Sequence, residues 1–140
     1  MVDLSLLNNL DHDLVDKIYN YITYTQNPNL LEDIKSFHDV KDTLYKLYSE
    51  RYSHEPEEIE NWIYNDIILF YNNEMPLMNG YTKEYIDKLN RDICKHSDEK
   101  VKRYIMYCDH NKNIKSLINI HISKLSVEER FELLHFVNTF

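Results

Sequence analysis

Two Cys-x-His pairs, Cys94-Lys95-His96 and Cys108-Asp109-His110, stand 14 residues apart in this chain. Two thiolates and two imidazoles make a legitimate zinc set. The spacing argues against it. Zinc sites typically separate paired ligands by about two to four residues, and on a helix positions i and i+2 do not share a face. Simpler roles fit each residue. The cysteines fall on apolar stripes as small core residues. His96 and His110 fall at helix C-termini, where an imidazole suits the negative end of the dipole. No metal and no cofactor is therefore expected. His121 and His135 are also 14 residues apart, with Glu129 and Glu132 nearby. A His/Glu pair is raw material for acid–base chemistry, but no nucleophile or oxyanion donor is implied beside it. Catalysis is not expected. The competing reading is a small metal-binding protein or enzyme centred on these cysteines and histidines.

The tyrosines form a second set. Tyr45, Tyr48 and Tyr52 share one helix face, Tyr19, Tyr21 and Tyr24 crowd another helix, and Tyr104 and Tyr107 a third. Aromatic side chains can stack nucleic-acid bases, a use that comes with basic grooves. Here the tyrosine-rich half is the acidic half. Tyr and Trp are also favoured anchors of protein interfaces, so Tyr45, Tyr48, Tyr52 and Trp62 are candidate contact residues. The alternative is a buried ring with its hydroxyl at the surface. The four acids Glu55, Glu57, Glu58 and Glu60 read as first-turn residues of a helix opened by Pro56, favoured there by the dipole.

The elements that would position these residues are all helical. Apolar residues recur at helical spacing nearly everywhere, and no long stretch alternates with period two. The stripes are Leu10, Leu14, Val15, Ile18, Tyr21 and Ile22; then Leu30, Leu31, Ile34, Phe37, Lys41, Leu44, Leu47 and Tyr48, with a bend expected near Ser36–Asp39; then Ile59, Trp62, Ile63, Asp66, Ile67 and Phe70. Asn27-Pro28 and Pro56 start helices by placing Pro at the first helical position. Thr82, Ser97 and Asn113 are expected caps. They precede the stripes Tyr85, Ile86, Leu89, Ile93; Val101, Tyr104, Ile105, Cys108; and Leu117, Ile118, His121, Ile122, Leu125. Ser126-Val127-Glu128-Glu129 matches a capping box and opens a last helix with Phe131, Leu134 and Val137 facing inward. The expected fold is all-α, a compact bundle of six to seven helices without a sheet. A single domain over 1–140 is expected, with a possible sub-boundary in the linker 72–80.

Composition excludes several functions. The chain has 140 residues, no alanine and one glycine, Gly80. Phosphate-cradling loops and dinucleotide fingerprints need several glycines, and a Gly-x-Ser-x-Gly elbow needs two. The longest apolar run, Ile67-Ile68-Leu69-Phe70-Tyr71, is far short of the ~18 residues of a membrane span. The segment Met1-Val2-Asp3-Leu4-Ser5 carries an acid where a secretory signal carries bases. Two cysteines are too few for a disulfide framework. These features predict a soluble intracellular protein without a membrane partner. The net charge of −8 disfavours phosphate backbones. It is unevenly spread: residues 1–80 hold 15 acids and 5 bases, residues 81–140 hold 9 acids and 11 bases, and 88–115 holds 8 bases against 4 acids. Nucleic-acid binding through 88–115 is thus the weaker alternative, and the opposed halves permit a homodimer.

Asn, Ile, Lys, Tyr and Phe, with AT-rich codons, total 58 residues, whereas Ala, Gly, Pro and Arg total 8. That bias fits an AT-rich genome such as that of a large nucleocytoplasmic DNA virus, and protozoan parasites show the same bias. The segment Leu6 to Ile22, through Leu10, Leu14, Val15, Ile18, Tyr21 and Ile22, resembles the first helix of F-box-like segments, with Asp11 where Pro is usual. With 27–35 and 61–67, the chain resembles uncharacterised helical proteins of mimivirus-like viruses. Residues Leu30 to Val40 are similar to a stretch of poxvirus Bcl-2-like proteins, which implies a modulator of host apoptosis or innate signalling. The first resemblance implies a viral origin and no particular activity. The expectation is a non-enzymatic protein–protein interaction module of the host cytoplasm, its partner host or viral.

Overall fold

The computed structural model describes residues 11–22, 27–52, 55–91 and 96–139. Seven α-helices follow one another: α1 (His12–Ile22), α2 (Pro28–Arg51), α3 (Pro56–Tyr71), α4 (Lys83–Leu89), α5 (Asp98–Asn111), α6 (Ile114–Lys124) and α7 (Val127–Thr139). A 3-10 turn, Leu77–Asn79, precedes α4. No strand occurs among the described residues, and the fold class is all-α.

Most helices start where the sequence supplies a starter. The Asn29 amide donates to Asn27 Oδ1 at 3.0 Å, with Pro28 as the first residue of α2. Thr82 accepts from the Tyr85 amide at 3.2 Å and Asn113 from the Ser116 amide at 2.8 Å. The capping box closes both ways: the Ser126 amide donates to Glu129 at 2.9 Å, and the Glu129 amide donates to the Ser126 hydroxyl at 3.3 Å. Each bond satisfies an amide that has no partner within its helix. Ser97 is the exception. It holds the cap position of α5 but its side chain makes no cap bond. Asp98 and Glu99 in the first turn complement the dipole there instead.

The chain forms two compact units, Met1–Leu31 and Glu32–Phe140. In the first, the Asp11 carbonyl accepts from the amides of Leu14 and Val15 and so begins α1. Leu10, at the start of the expected stripe, lies outside the described residues, as does Ile93 in the stripe expected after Thr82.

In the second unit α3 packs against α6, α7 and α4, and α4 also packs against α5 and α6. Ile67, Ile118, Ile122 and Leu133 are wholly buried, each worth roughly 1.5–3 kcal/mol of burial. The inward face of α2 is Ser36, Val40, Leu44 and Tyr48, while Ile34 is exposed. The helix runs unbroken through Ser36–Asp39. The final helix departs from expectation at Phe131, while Val137 is buried and Leu134 packs partly buried against the core, as expected. Its inward residues are Arg130, Leu133 and Val137, and Phe131 is 63% exposed. Arg130 can occupy a core position because its guanidinium is bonded within the fold. Nε donates to the Ile122 carbonyl at 3.0 Å, and Nη1 donates to the Asp33 carbonyl and carboxylate, each at 2.8 Å. Its plane lies over Phe37, 5.8 Å from the ring centre. One side chain thus joins α2, α6 and α7. Arg51 adds a second tie, donating to the Val137 carbonyl in the last turn of α7 at 2.8 Å.

The stretch 72–80 lies inside this unit and is organised by one residue. Asn72 is wholly buried. Its amide nitrogen donates to the carbonyls of Met75 (2.8 Å) and Gly80 (3.1 Å), and its Oδ1 accepts from the Thr82 amide at 2.8 Å. The side chain therefore ties the end of α3 to the start of α4.

Candidate functional site

Among the described residues no three His, Cys, Asp or Glu side chains gather as a metal site. Cys94 lies outside the described residues. His96 is exposed, its backbone clasped by the Asn90 side chain through bonds of 2.7 and 2.9 Å. Cys108 is a free, buried thiol. His110 is exposed in the last turn of α5, and its Nδ1 is bonded to the Met106 carbonyl at 2.6 Å. Cys108 and His110 thus take opposite sides of one helix.

His121 is buried at the centre of a tyrosine cluster. The rings of Tyr64, Tyr71 and Tyr85 stand edge-on to the imidazole at 5.5, 5.0 and 6.0 Å. Its Nδ1 lies 2.8 Å from the Leu117 carbonyl and its Nε2 lies 3.0 Å from the Tyr85 hydroxyl. A carbonyl only accepts, so Nδ1 carries the proton and the Tyr85 hydroxyl donates to Nε2. Tyr71 completes the cluster, its hydroxyl donating to the His121 carbonyl at 2.6 Å. Burial pushes the His121 pKa down, against the Leu117 bond and the Asp109 charge. The imidazole is neutral and both of its nitrogens are bonded. It shares a tiny apolar cavity of about 10 Å³ with Cys108, at the lower limit for a single water and far too small for a substrate. Glu129 is bonded by Arg91 (Nη2 to Oε1, 2.8 Å) and by the Ser126 amide. His135 is exposed on α7.

The α2–α3 seam collects the four candidate contact residues. Tyr48 is a core residue whose hydroxyl bonds the Asp66 carboxylate. Tyr45 is half-buried, and its hydroxyl donates to Glu60 at 3.2 Å. Burial, then the Glu60 charge and hydrogen bond, push the Tyr45 pKa up to about 12. Tyr52 stacks on Trp62 with ring centres 5.7 Å apart and planes 10° from parallel. Trp62 is 48% exposed. Of the four, it offers the broadest free ring.

A broad concavity lies elsewhere, along α7. It is an open groove of about 680 Å³ lined by Glu74, Phe131, Glu132, His135, Phe136 and Thr139. Residues 131, 132, 135, 136 and 139 recur at helical spacing, so one face of α7 makes the wall. Glu74 comes from the stretch after α3. Its amide donates to the Leu69 carbonyl at 2.8 Å, and both Asn73 (φ 51°) and Glu74 (φ 62°) are left-handed. This is the 6→1 bond of a Schellman helix end. A left-handed glutamate is uncommon; the Asn72 clasp holds it. Phe131, the ring that periodicity assigned to the core, is what makes the groove apolar. Its exposure was missed because the sequence offers no reason for an arginine to displace a phenylalanine inward. The spacing of Arg130 with Leu133 and Val137 was the one signal.

A smaller adjoining compartment of about 310 Å³ shares Glu74, Glu132 and Phe136 with the groove and adds Phe70, Asn73 and Lys88. Here the Lys88 ammonium lies 5.0 Å from the Phe70 ring centre and 5.6 Å from that of Tyr71. Burial lowers the Lys88 pKa, partly offset by Glu129, Glu132 and Glu84. Phe70 and Phe136 pack at 5.7 Å, so the two compartments share an aromatic wall.

Among the described residues no helix is long and apolar enough to cross a membrane. No protein-family model, curated protein or solved structure matches the chain.

Proposed function

We propose that this chain is a non-enzymatic protein–protein interaction module. The observation that carries the reading is the α7 groove, an apolar concavity walled by a phenylalanine 63% exposed on a helix whose inward face is already filled. Exposed aromatics in concave settings are the anchors on which interfaces depend. The side chains suited to chemistry give further support: His121, Cys108 and Glu129 are buried or bonded within the fold. The viral origin and the host-cell setting belong to the same proposal and rest on the codon-skewed composition.

Photo-crosslinking in the native cellular setting tests it. A benzophenone side chain is placed at 131, with the exposed position Lys100 as control. One discrete adduct from 131, absent from the control and competed by untagged protein, is the expected result. Identical adduct patterns from both positions, or none, would refute it.

A further inference from the structure

We infer that the α7 groove takes an arginine side chain presented by its partner, held between phenylalanine rings and the carboxylates of Glu74 and Glu132. This rests on the interaction reading above and specifies the partner's chemistry. Glu74 and Glu132 line the groove alongside Phe131, Phe136 and His135, and no lysine or arginine lines it. Neither carboxylate hydrogen-bonds another side chain or forms an ion pair among the described residues. A negative, ring-lined groove attracts a cation twice, by charge and by the ring faces. The chain itself supplies the precedent. In the adjoining compartment Lys88 sits over Phe70 and Tyr71 beside the same Glu74 and Glu132. The larger compartment shares these two acids and Phe136 and adds Phe131; Lys88, which Glu132 attracts, stands in the adjoining compartment and not in the lining of the groove itself. Arginine fits better than lysine. Its planar guanidinium stacks on a ring while its N–H groups reach carboxylates at the edge, and it is less strongly hydrated. The negative lining opposes an acidic peptide or a nucleic-acid backbone as occupant.

The test is a nuclear magnetic resonance titration of the full chain with a capped peptide carrying one arginine between leucines. Its citrulline counterpart keeps the shape and loses the charge. The arginine peptide should shift the amides of residues 131–139, and the citrulline peptide should bind about tenfold or more weakly, the ratio expected for a charge-assisted pair against a neutral one. In the Glu74→Gln/Glu132→Gln variant the two peptides should bind alike. These side chains are at the surface, and the helical circular dichroism of the variant should match the parent. Equal binding of both peptides to the parent overturns the arginine inference while leaving an apolar docking groove. Shifts confined to residues away from α7 overturn it as well. Loss of the crosslink at 131 with retained arginine selectivity would instead remove the interaction reading and leave the pocket.

Discussion

At the scale of single residues, the backbone of 72–80 and the His121 cluster make opposite demands on substitution. Gly80 holds φ 90° and ψ −178°, a region essentially reserved for glycine. An added Cβ would meet nothing within 4 Å, so Gly80→Ala costs backbone strain alone. A loss of about 1–2 kcal/mol is expected after the gain from a stiffer unfolded chain, read from the urea midpoint at unchanged slope. An unchanged midpoint would mean that the loop adopts another conformation. The His121–Tyr85 bond is a case for a double-mutant cycle. Tyr85→Phe leaves Nε2 without a donor, and His121→Leu leaves a buried hydroxyl without an acceptor, each costing about 1–3 kcal/mol. The double variant should cost clearly less than the sum. Strict additivity would show that the two side chains contribute independently. Spacing placed His121 on the apolar stripe of its helix. The tyrosines that surround it come from 64, 71 and 85, and only folding brings those together.

At the scale of elements, caps were the most legible feature and long-range bonds the least. Asn27, Thr82, Asn113 and the Ser126–Glu129 box are local chemistry, fixed within three residues, and the bonds form as their types dictate. The linker was recognised from its Pro and Gly, but the residue that organises it, Asn72, closes bonds across eight and ten positions. No local pattern reports that. The inward turn of Arg130 in place of Phe131 was hidden for a similar reason, because the acceptors that allow Arg130 inside are Ile122 and, 97 residues away, Asp33. These two polar hubs should therefore be the most sensitive points between elements. Arg130→Met should cost about 3–5 kcal/mol, since it strips bonds from buried carbonyls and unlinks three helices. Asp33→Asn should cost much less, because the Asp33 backbone carbonyl still accepts and its carboxylate is half exposed. Equal losses for the two variants, measured by thermal unfolding, would contradict this ranking. The groove inherits the same logic. Its position depends on the arginine that turned Phe131 outward and on the asparagine that holds Glu74.

At the scale of the whole molecule, the tyrosine content becomes a statement about pH. Six tyrosines, Tyr45, Tyr48, Tyr64, Tyr71, Tyr81 and Tyr85, have pKa values raised above 10.0, in each case first by burial. Their hydroxyls stay protonated in the fold at a pH where the unfolded chain has released those protons. The folded state then binds more protons than the unfolded one, and stability falls as pH rises above about 10. For a wholly buried phenol such as Tyr71 or Tyr85 the limiting slope is about 1.4 kcal/mol per pH unit. Several acting together make the alkaline transition steep. The acid side has the reverse sign. His121 is held neutral below its ordinary value of 6.5, so stability is intact above that pH and declines as pH falls below it. Glu129 is depressed below 4.5, first by its bond to Arg91, and adds a second decline at lower pH, reduced by the partial exposure of that pair. Stability should therefore peak between about pH 7 and 9. A spectrophotometric titration of tyrosinate tests this. The six should ionise only in a sharp step above pH 10 that coincides with loss of helical circular dichroism. Smooth ionisation of these six with the helices intact throughout would mean that their hydroxyls are open to solvent and that their burial does not hold the core together.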